Sequence, residues 1–178
     1  MFFIAKSAIV EEDVVISEGS YIWHFSHLMS GVRVGINCTI GERVYIGKGV
    51  LIGDNVKVCN GANIYEGTII KNNVFIGNNV SFSNVKYPRA WRKANEFLPI
   101  IVEDNATIDA NSVISPGVKI GRFSTVGRGA IVINDVPEGG FVVGPAAQCI
   151  CERETCVECA KRKEKNLTKH LKYVSKRK

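Results

Sequence analysis

From Ile4 to Phe82 an aliphatic or aromatic residue returns at every sixth position, fourteen times without a slip. A second run carries Val102, Ile108, Ile114, Ile120, Val126 and Val132 at the same step. The residue four places after each is small or β-branched, as at Val32, Cys38, Val44, Val50 and Ala62, with Lys86 the exception where the first run ends. A step of six matches neither the helical period of 3.6 nor the strand period of 2. Held over about eighty residues, it excludes amphipathic helices and an ordinary sandwich of alternating strands.

Six residues do suit a short strand followed by a turn. In an extended segment the periodic residue and the one two places before it point to the same side. A Gly often follows the periodic residue, as at Gly35, Gly41, Gly47 and Gly53, and is expected to make the turn, where it tolerates unusual dihedrals. Stacked units of this kind bury a continuous interior of small and aliphatic side chains, which predicts an all-β solenoid, the hexapeptide parallel β-helix.

The chain has 178 residues, 46% of them hydrophobic and 22% charged, enough for one domain with an appendage. No apolar run is long enough to span a membrane, and the N-terminus lacks a basic region and apolar stretch of secretory type. A cytoplasmic, reducing location is therefore expected, with the six cysteines as thiols or metal ligands. The net charge of +6 is unevenly placed: residues 161–178 hold nine Lys or Arg against Glu164 alone. The body is nearly neutral, and the basic tail reads as a solvated, partly helical segment rather than a nucleic-acid surface, having few aromatics. The expected division is a solenoid over 1–148 and a Cys-rich, basic tail over 149–178.

The repeat breaks once. Between Phe82 and Val102 the step is twenty, so fourteen extra residues leave the solenoid in a loop over 83–101. A loop ejected from a rigid scaffold is a candidate for function. Its Tyr87, Arg89, Trp91, Arg92 and Lys93 suit an anionic, ring-bearing ligand.

The repeat resembles the left-handed β-helix of the hexapeptide-repeat acyltransferases. That resemblance implies eighteen residues per triangular coil, between six and seven coils, a homotrimer and active sites between subunits. "IWHFSH" at 22–27, "NGANIYEG" at 60–67, "FSNVKYPRA" at 82–90 and "FVVGPAAQ" at 141–148 sharpen it. Together they resemble bacterial sugar N-acetyltransferases that acetylate the 3-amino group of UDP-2-acetamido-3-amino-2,3-dideoxy-glucuronate. The family's loop motif, FTN followed by NPRA, is matched at Asn84, Pro88, Arg89 and Ala90 but carries Ser83 and Tyr87 here. Cys59 and Gly61 stand where Gln and Asn are common in that family.

With eighteen residues per coil, positions eighteen apart stack in columns about 4.8 Å apart. Glu66 then stacks on Asn84 and Tyr65 on Ser83, while His24, Glu42, Asn60 and Asn78 form another column. Trp23, Met29, Cys59 and Tyr65 replace the usual Gly and are expected to line an outer groove, with both columns serving one site. The substrate-binding candidates are Trp23, Asn60, Tyr65 and Arg89; the catalytic candidates are Asn84, Glu66 and His24.

Hydroxyl acceptors need a general base. No His lies between Asn84 and Pro99, whereas an amine is already nucleophilic when neutral. The resemblance implies transfer to an amine with no dedicated base, the departing CoA thiolate taking the proton and Asn84 orienting the reactants. His24 and His27 read equally as polar caps near a subunit seam or as substrate contacts, and two His do not make the three-His metal site of a carbonic anhydrase. O-acetyl transfer and a non-catalytic assembly role remain the alternatives. Acetyl-CoA is the implied co-substrate, with "IGRFSTVGRGA" placing Arg122, Gly127, Arg128 and Ala130 in the late coils where relatives bind its adenine end. Finally, Cys149, Cys151, Cys156 and Cys159 fall within eleven residues, either a tetrahedral zinc site or free thiols at the start of a helix.

Overall fold

A computed structural model describes residues 1–91 and 97–144 of the chain. The chain divides into two units, Met1–Gly144 and Pro145–Lys178. The second unit lies outside the described residues, and with it Cys149, Cys151, Cys156, Cys159 and the basic tail.

The first unit is built from strands of two or three residues in three parallel sheets. Sheet 1 has eight strands, from Phe3–Ile4 to Phe141–Val142. Sheet 2 has seven, from Ile9–Val10 to Ile131–Val132. Sheet 3 has six, from Val15–Ile16 to Lys119–Ile120, and a bridge from Ile120 to Val136 extends it. The chain visits the sheets in turn, so each coil contributes one strand to each, and the arrangement fits the left-handed parallel β-helix. Seven coils are complete and Phe141–Val142 opens an eighth, beyond the second hexad run and so beyond the six to seven expected. No helix occurs among the described residues, and none there is long and apolar enough to cross a membrane.

The interior is the one the hexad dictates. Ile22, Leu28, Ile40, Ile46, Ile64, Ile76, Phe82, Ile108 and Ile114 are fully buried, with Val32, Cys38, Val50 and Ala62 beside them. Buried serines join coils at the corners: Ser26 donates to Gly41 O at 2.6 Å and accepts Val44 N–H at 3.2 Å. Every buried polar side chain among the described residues is thus paired.

The turns work differently from the expectation. Among the described residues eighteen corners pass through a residue of positive φ; seventeen are the third after a periodic core residue, not the first, and Gly139 stands third after Val136. Asn fills six of these places, including Asn37, Asn55 and Asn73, because its short polar side chain tolerates the left-handed region. The glycines directly after the core residues answer a different demand, close approach of the next coil. A Cβ on Gly47 would lie 2.6 Å from Glu66 N.

The register shows where the loop leaves. Asn63 pairs with Ser81 eighteen residues on, but Thr68 pairs with Ile100 across thirty-two. The excess lies between the strands Ser81–Phe82 and Ile100–Val102. Ile100 and Ile101, expected in the loop, belong to that second strand because Ile100 completes the buried core, which shortens the loop to 83–99.

Candidate active site

Each coil has three corners: corner 1 between sheets 1 and 2, corner 2 between sheets 2 and 3, corner 3 leading to the next coil. Tyr65, Glu66, Ser83 and Asn84 lie on corner 2, where the loop departs. Trp23, His24 and Asn60 lie on corner 1. A strand of sheet 2 separates the two, so within one chain the expected columns occupy neighbouring edges rather than one site.

At corner 2 the expected neighbours do meet, by a different contact. Asn84 Nδ2 donates to the main-chain oxygen of Glu66 at 3.0 Å, not to its carboxylate. The main-chain oxygen of Asn84 accepts the Leu98 N–H at 3.0 Å. Asn84 therefore ties the outgoing and returning ends of the loop to the preceding coil. Its Oδ1 has no partner among the described residues. Beyond it Tyr87, Arg89 and Trp91 are exposed, with Arg89 Nη1 on the Pro88 carbonyl at 2.9 Å. Arg92 and Lys93 lie outside the described residues.

Corner 1 is largely occupied with itself. His24 Nδ1 lies 2.7 Å from Ser7 Oγ, which also accepts the Phe25 N–H. Asn60 Oδ1 accepts the Glu42 N–H at 3.0 Å, one of several side-chain rungs that satisfy main-chain donors along the corners. Trp23 is partly exposed and packs on Phe3 with ring centroids 5.7 Å apart.

The late-coil residues expected at acetyl-CoA are not gathered. Arg122 is on corner 3 and pairs with Asp104 at 3.2 Å. Arg128 is on corner 1 and pairs with Asp109 at 3.1 Å. Both carboxyls titrate low, chiefly because each accepts a main-chain N–H, from Asn72 and from Ala110. Gly127 sits against Val143 of the last coil. Ala130 is buried, and its main-chain N–H and carbonyl are paired with Gly127 and Val113.

Sequence reasoning missed the most connected group, on the outer face of sheet 2 and the adjoining corner 2. His27 Nε2 lies 2.7 Å from Glu11 Oε1, and Glu11 Oε2 accepts the Ser30 N–H at 3.0 Å. These two contacts, the Ser30 bond first, hold the Glu11 carboxyl below its ordinary range. An ionised Glu11 only accepts, so His27 donates through Nε2. The His27 ring meets Tyr45 edge-on at 5.8 Å, and Tyr45 meets Tyr65 at 5.5 Å. Tyr45 OH donates to Met29 Sδ at 2.6 Å. Burial raises the Tyr45 phenol, with Tyr65, Glu11 and Glu66 adding to the shift. The signal was present in the sequence: His27 and Tyr45 each precede a periodic residue, eighteen apart, so both face outward in one column.

Comparison with known proteins agrees with this architecture. The bacterial transferase hexapeptide (six repeats) model matches residues 13–48, and the hexapeptide repeat of succinyl-transferase matches 31–66 and 99–133. A 2,3,4,5-tetrahydropyridine-2,6-dicarboxylate N-acetyltransferase of Clostridium perfringens is 50% identical over 52 residues, 29% of this chain and 22% of that protein. The chain thus spans about a fifth of the length of the curated relatives it matches. Among solved structures, a hexapeptide-repeat-containing acetyltransferase from Vibrio cholerae O1 biovar eltor, complexed with acetyl coenzyme A, is 25% identical with a TM-score of 0.55. It covers 68% of this chain and 70% of its own. A galactoside acetyltransferase in complex with coenzyme A, 24% identical with a TM-score of 0.54, covers 80% of this chain and 67% of its own, and shares the fold. The chain is a hexapeptide-repeat protein.

Proposed function

We propose that this hexapeptide-repeat chain is an acetyl-CoA-dependent N-acetyltransferase acting on a nucleotide-linked amino sugar. A UDP-linked 3-amino-sugar uronate destined for surface polysaccharide is the acceptor favoured by the motif residues Asn84, Pro88, Arg89 and Ala90. The working form in this reading is a cytoplasmic homotrimer. The acetyl-CoA complex of the Vibrio cholerae structure supports the choice of donor.

The observation that carries the reading is the tethered carboxamide of Asn84. Its nitrogen is committed to Glu66 O, which restrains the amide and leaves Oδ1, without a partner among the described residues, for a further donor. A fixed acceptor of this kind suits an amine N–H: it orients the nitrogen lone pair toward the thioester carbonyl without removing a proton first. Attack forms the C–N bond and places negative charge on the carbonyl oxygen. Collapse breaks the C–S bond, and the departing thiolate takes the proton of the new ammonium, so charge and atoms balance with no side-chain base. Main-chain N–H groups are the natural donors to the transient oxyanion.

A second reading, O-acetyl transfer, draws on Glu11 and His27. A carboxylate-held imidazole is what deprotonation of a hydroxyl requires. It lies three coils from Asn84, about 14 Å at the spacing of neighbouring strands, too far to serve a nucleophile held at Asn84. Incubation of the protein with acetyl-CoA and a panel of UDP-, dTDP- and GDP-amino sugars, with free thiol as the readout, tests the two. Thiol release with an amino sugar but not with its hydroxyl counterpart is the expected result. Release only with hydroxyl acceptors would replace the first reading by the second.

A further inference from the structure

Three rings lie in a row on successive coils, His27 and Tyr45 on the outer face of sheet 2 and Tyr65 on corner 2 beside the loop. His27 is on coil 2, Tyr45 on coil 3 and Tyr65 on coil 4, with successive centroids 5.8 and 5.5 Å apart. Each ring is fixed by a separate contact: His27 by Glu11, Tyr45 by Met29, and Tyr65 by Tyr45 itself. A scaffold face needs none of this. Elsewhere the same outward column carries Ile9, Asn63, Ser81, Val113 and Ile131, none of them aromatic.

We infer that His27, Tyr45 and Tyr65 form the stacking platform for the nucleobase of the acceptor. The inference rests on the nucleotide-linked acceptor proposed above and names the part of that acceptor the face receives. Three observations favour a nucleobase over another apolar group. The rings meet at interplanar angles of 82° and 54°, so the two behind brace Tyr65, the most exposed of the three, and bases stack on such a side chain through their π-faces. The Tyr65 hydroxyl, which has no partner among the described residues, suits the hydrogen-bonding rim of a base rather than an acyl chain, while Tyr45 OH and His27 Nε2 are held by Met29 and Glu11. The spacing also fits: Tyr45 is two coils from Asn84, about 10 Å at the inter-strand distance. Two phosphates and a ribose bridge a gap of that order, so a sugar amine at Asn84 places its base at Tyr45. Lys86 and Arg89, exposed in the loop that leaves at Asn84, supply positive charge on the loop for a pyrophosphate.

Calorimetric titration of the full chain with UDP and with GDP tests the platform, with inorganic pyrophosphate as the ring-free control. For the nucleotide that binds more tightly, Tyr65→Ala should weaken affinity about tenfold or more, and Tyr65→Phe should restore it, since the ring and not the hydroxyl stacks. His27→Gln should weaken it by a smaller factor. Pyrophosphate affinity and the molecular mass by light scattering should stay the same in all variants. The inference is overturned if wild-type protein binds neither nucleotide or if Tyr65→Ala binds as wild type. It is equally overturned if pyrophosphate loses as much as the nucleotide, or if the loss follows a change in mass. Failure of the transferase reading looks different: the nucleotide responds to the variants as expected, yet no amino sugar releases thiol from acetyl-CoA. Conversely, thiol release with a nucleotide-linked amino sugar, with nucleotide affinity unmoved by Tyr65→Ala, removes the platform and keeps the transferase.

Discussion

Asn84 and Glu66 are joined side chain to main chain, the carboxamide nitrogen of one donating to the carbonyl oxygen of the other at 3.0 Å across one coil. Because Asn84 also accepts the Leu98 N–H, one residue closes a loop and, in the proposed reaction, orients the amine. The two roles separate by substitution. Asn84→Ala should lower kcat/KM about 100-fold, the order lost with one oriented polar contact. Asn84→Asp keeps an acceptor oxygen but loses the donor to Glu66, so it should loosen the loop as much as alanine does. Limited trypsinolysis at Lys86 and Arg89 reads that loosening, and equal cleavage of all three proteins would rule out the tether.

Glu66→Gln should leave kcat/KM within about threefold of wild type, well short of the loss expected when a general acid or base is removed. The reason is that Asn84 uses the main-chain oxygen of Glu66, which the substitution preserves. A pH–rate profile of the variant completes the measurement. Loss of an acidic limb together with a drop of orders of magnitude would make Glu66 a base after all.

Acid should act through Glu11. Its folded-state carboxyl titrates below the ordinary 4.5, so it binds protons less readily folded than unfolded. The stabilisation it gives is complete above about that value and is lost as pH falls through the lower folded value. Glu11→Gln removes this dependence. The gap in thermal stability between wild type and variant should be widest above pH 4.5 and close as the pH drops below it. A gap that stays constant from neutral to acid pH would mean that the Ser30 and His27 contacts do not favour the ionised form.

Two glycines two residues apart should respond oppositely. Gly47→Ala would drive a Cβ to 2.6 Å from Glu66 N and to 3.2 Å from Tyr65 Cα, both main chain, and should cost about 1–3 kcal/mol. Gly49 has φ +67° and nothing within 4 Å of a built Cβ. Asn is the residue used at six equivalent corners, so Gly49→Asn should fall within about 1 kcal/mol of wild type. Thermal denaturation of the two variants checks the contrast. Equal destabilisation would contradict the division of labour between the first and third residues of the turn.

Much of the fold was legible because one physical rule repeats. From Ile22 to Val132 every periodic residue such as Ile40 or Ile76 is buried, and the small residues two places before them, such as Val32 and Val44, face the same interior. The turn was misread because glycine was credited with its dihedral freedom alone. At Gly47 it is the missing side chain that matters, since the next coil passes where a Cβ would stand. The candidate site was legible only in part. Stacking by eighteen placed Asn84 over Glu66, but a column does not say whether side chain or main chain makes the contact. It also grouped His24 and Asn60 with Asn84, although six residues along this chain turn one corner and change the edge. Glu11 and Tyr45, and their link through His27, were not legible from the turn positions alone. The residue before the core aliphatic, which faces outward from the strand, carries His27 and Tyr45, and Tyr65 joins them from the turn.

The fourteen-residue excess between Phe82 and Ile100 is absorbed without disturbing a single pairing on either side: Ser81 meets Val113 and Ile101 meets Lys119 in unbroken register. In a stack where each coil contacts only its neighbours, an alteration confined to that excursion has no path into the core except through the coils it touches. Length and composition of the excursion are therefore free to change while the ladder beneath keeps its geometry. The excursion and the persistence of the fold are written in separate stretches of the chain, and the first can drift, be grafted or be redesigned without reopening the second.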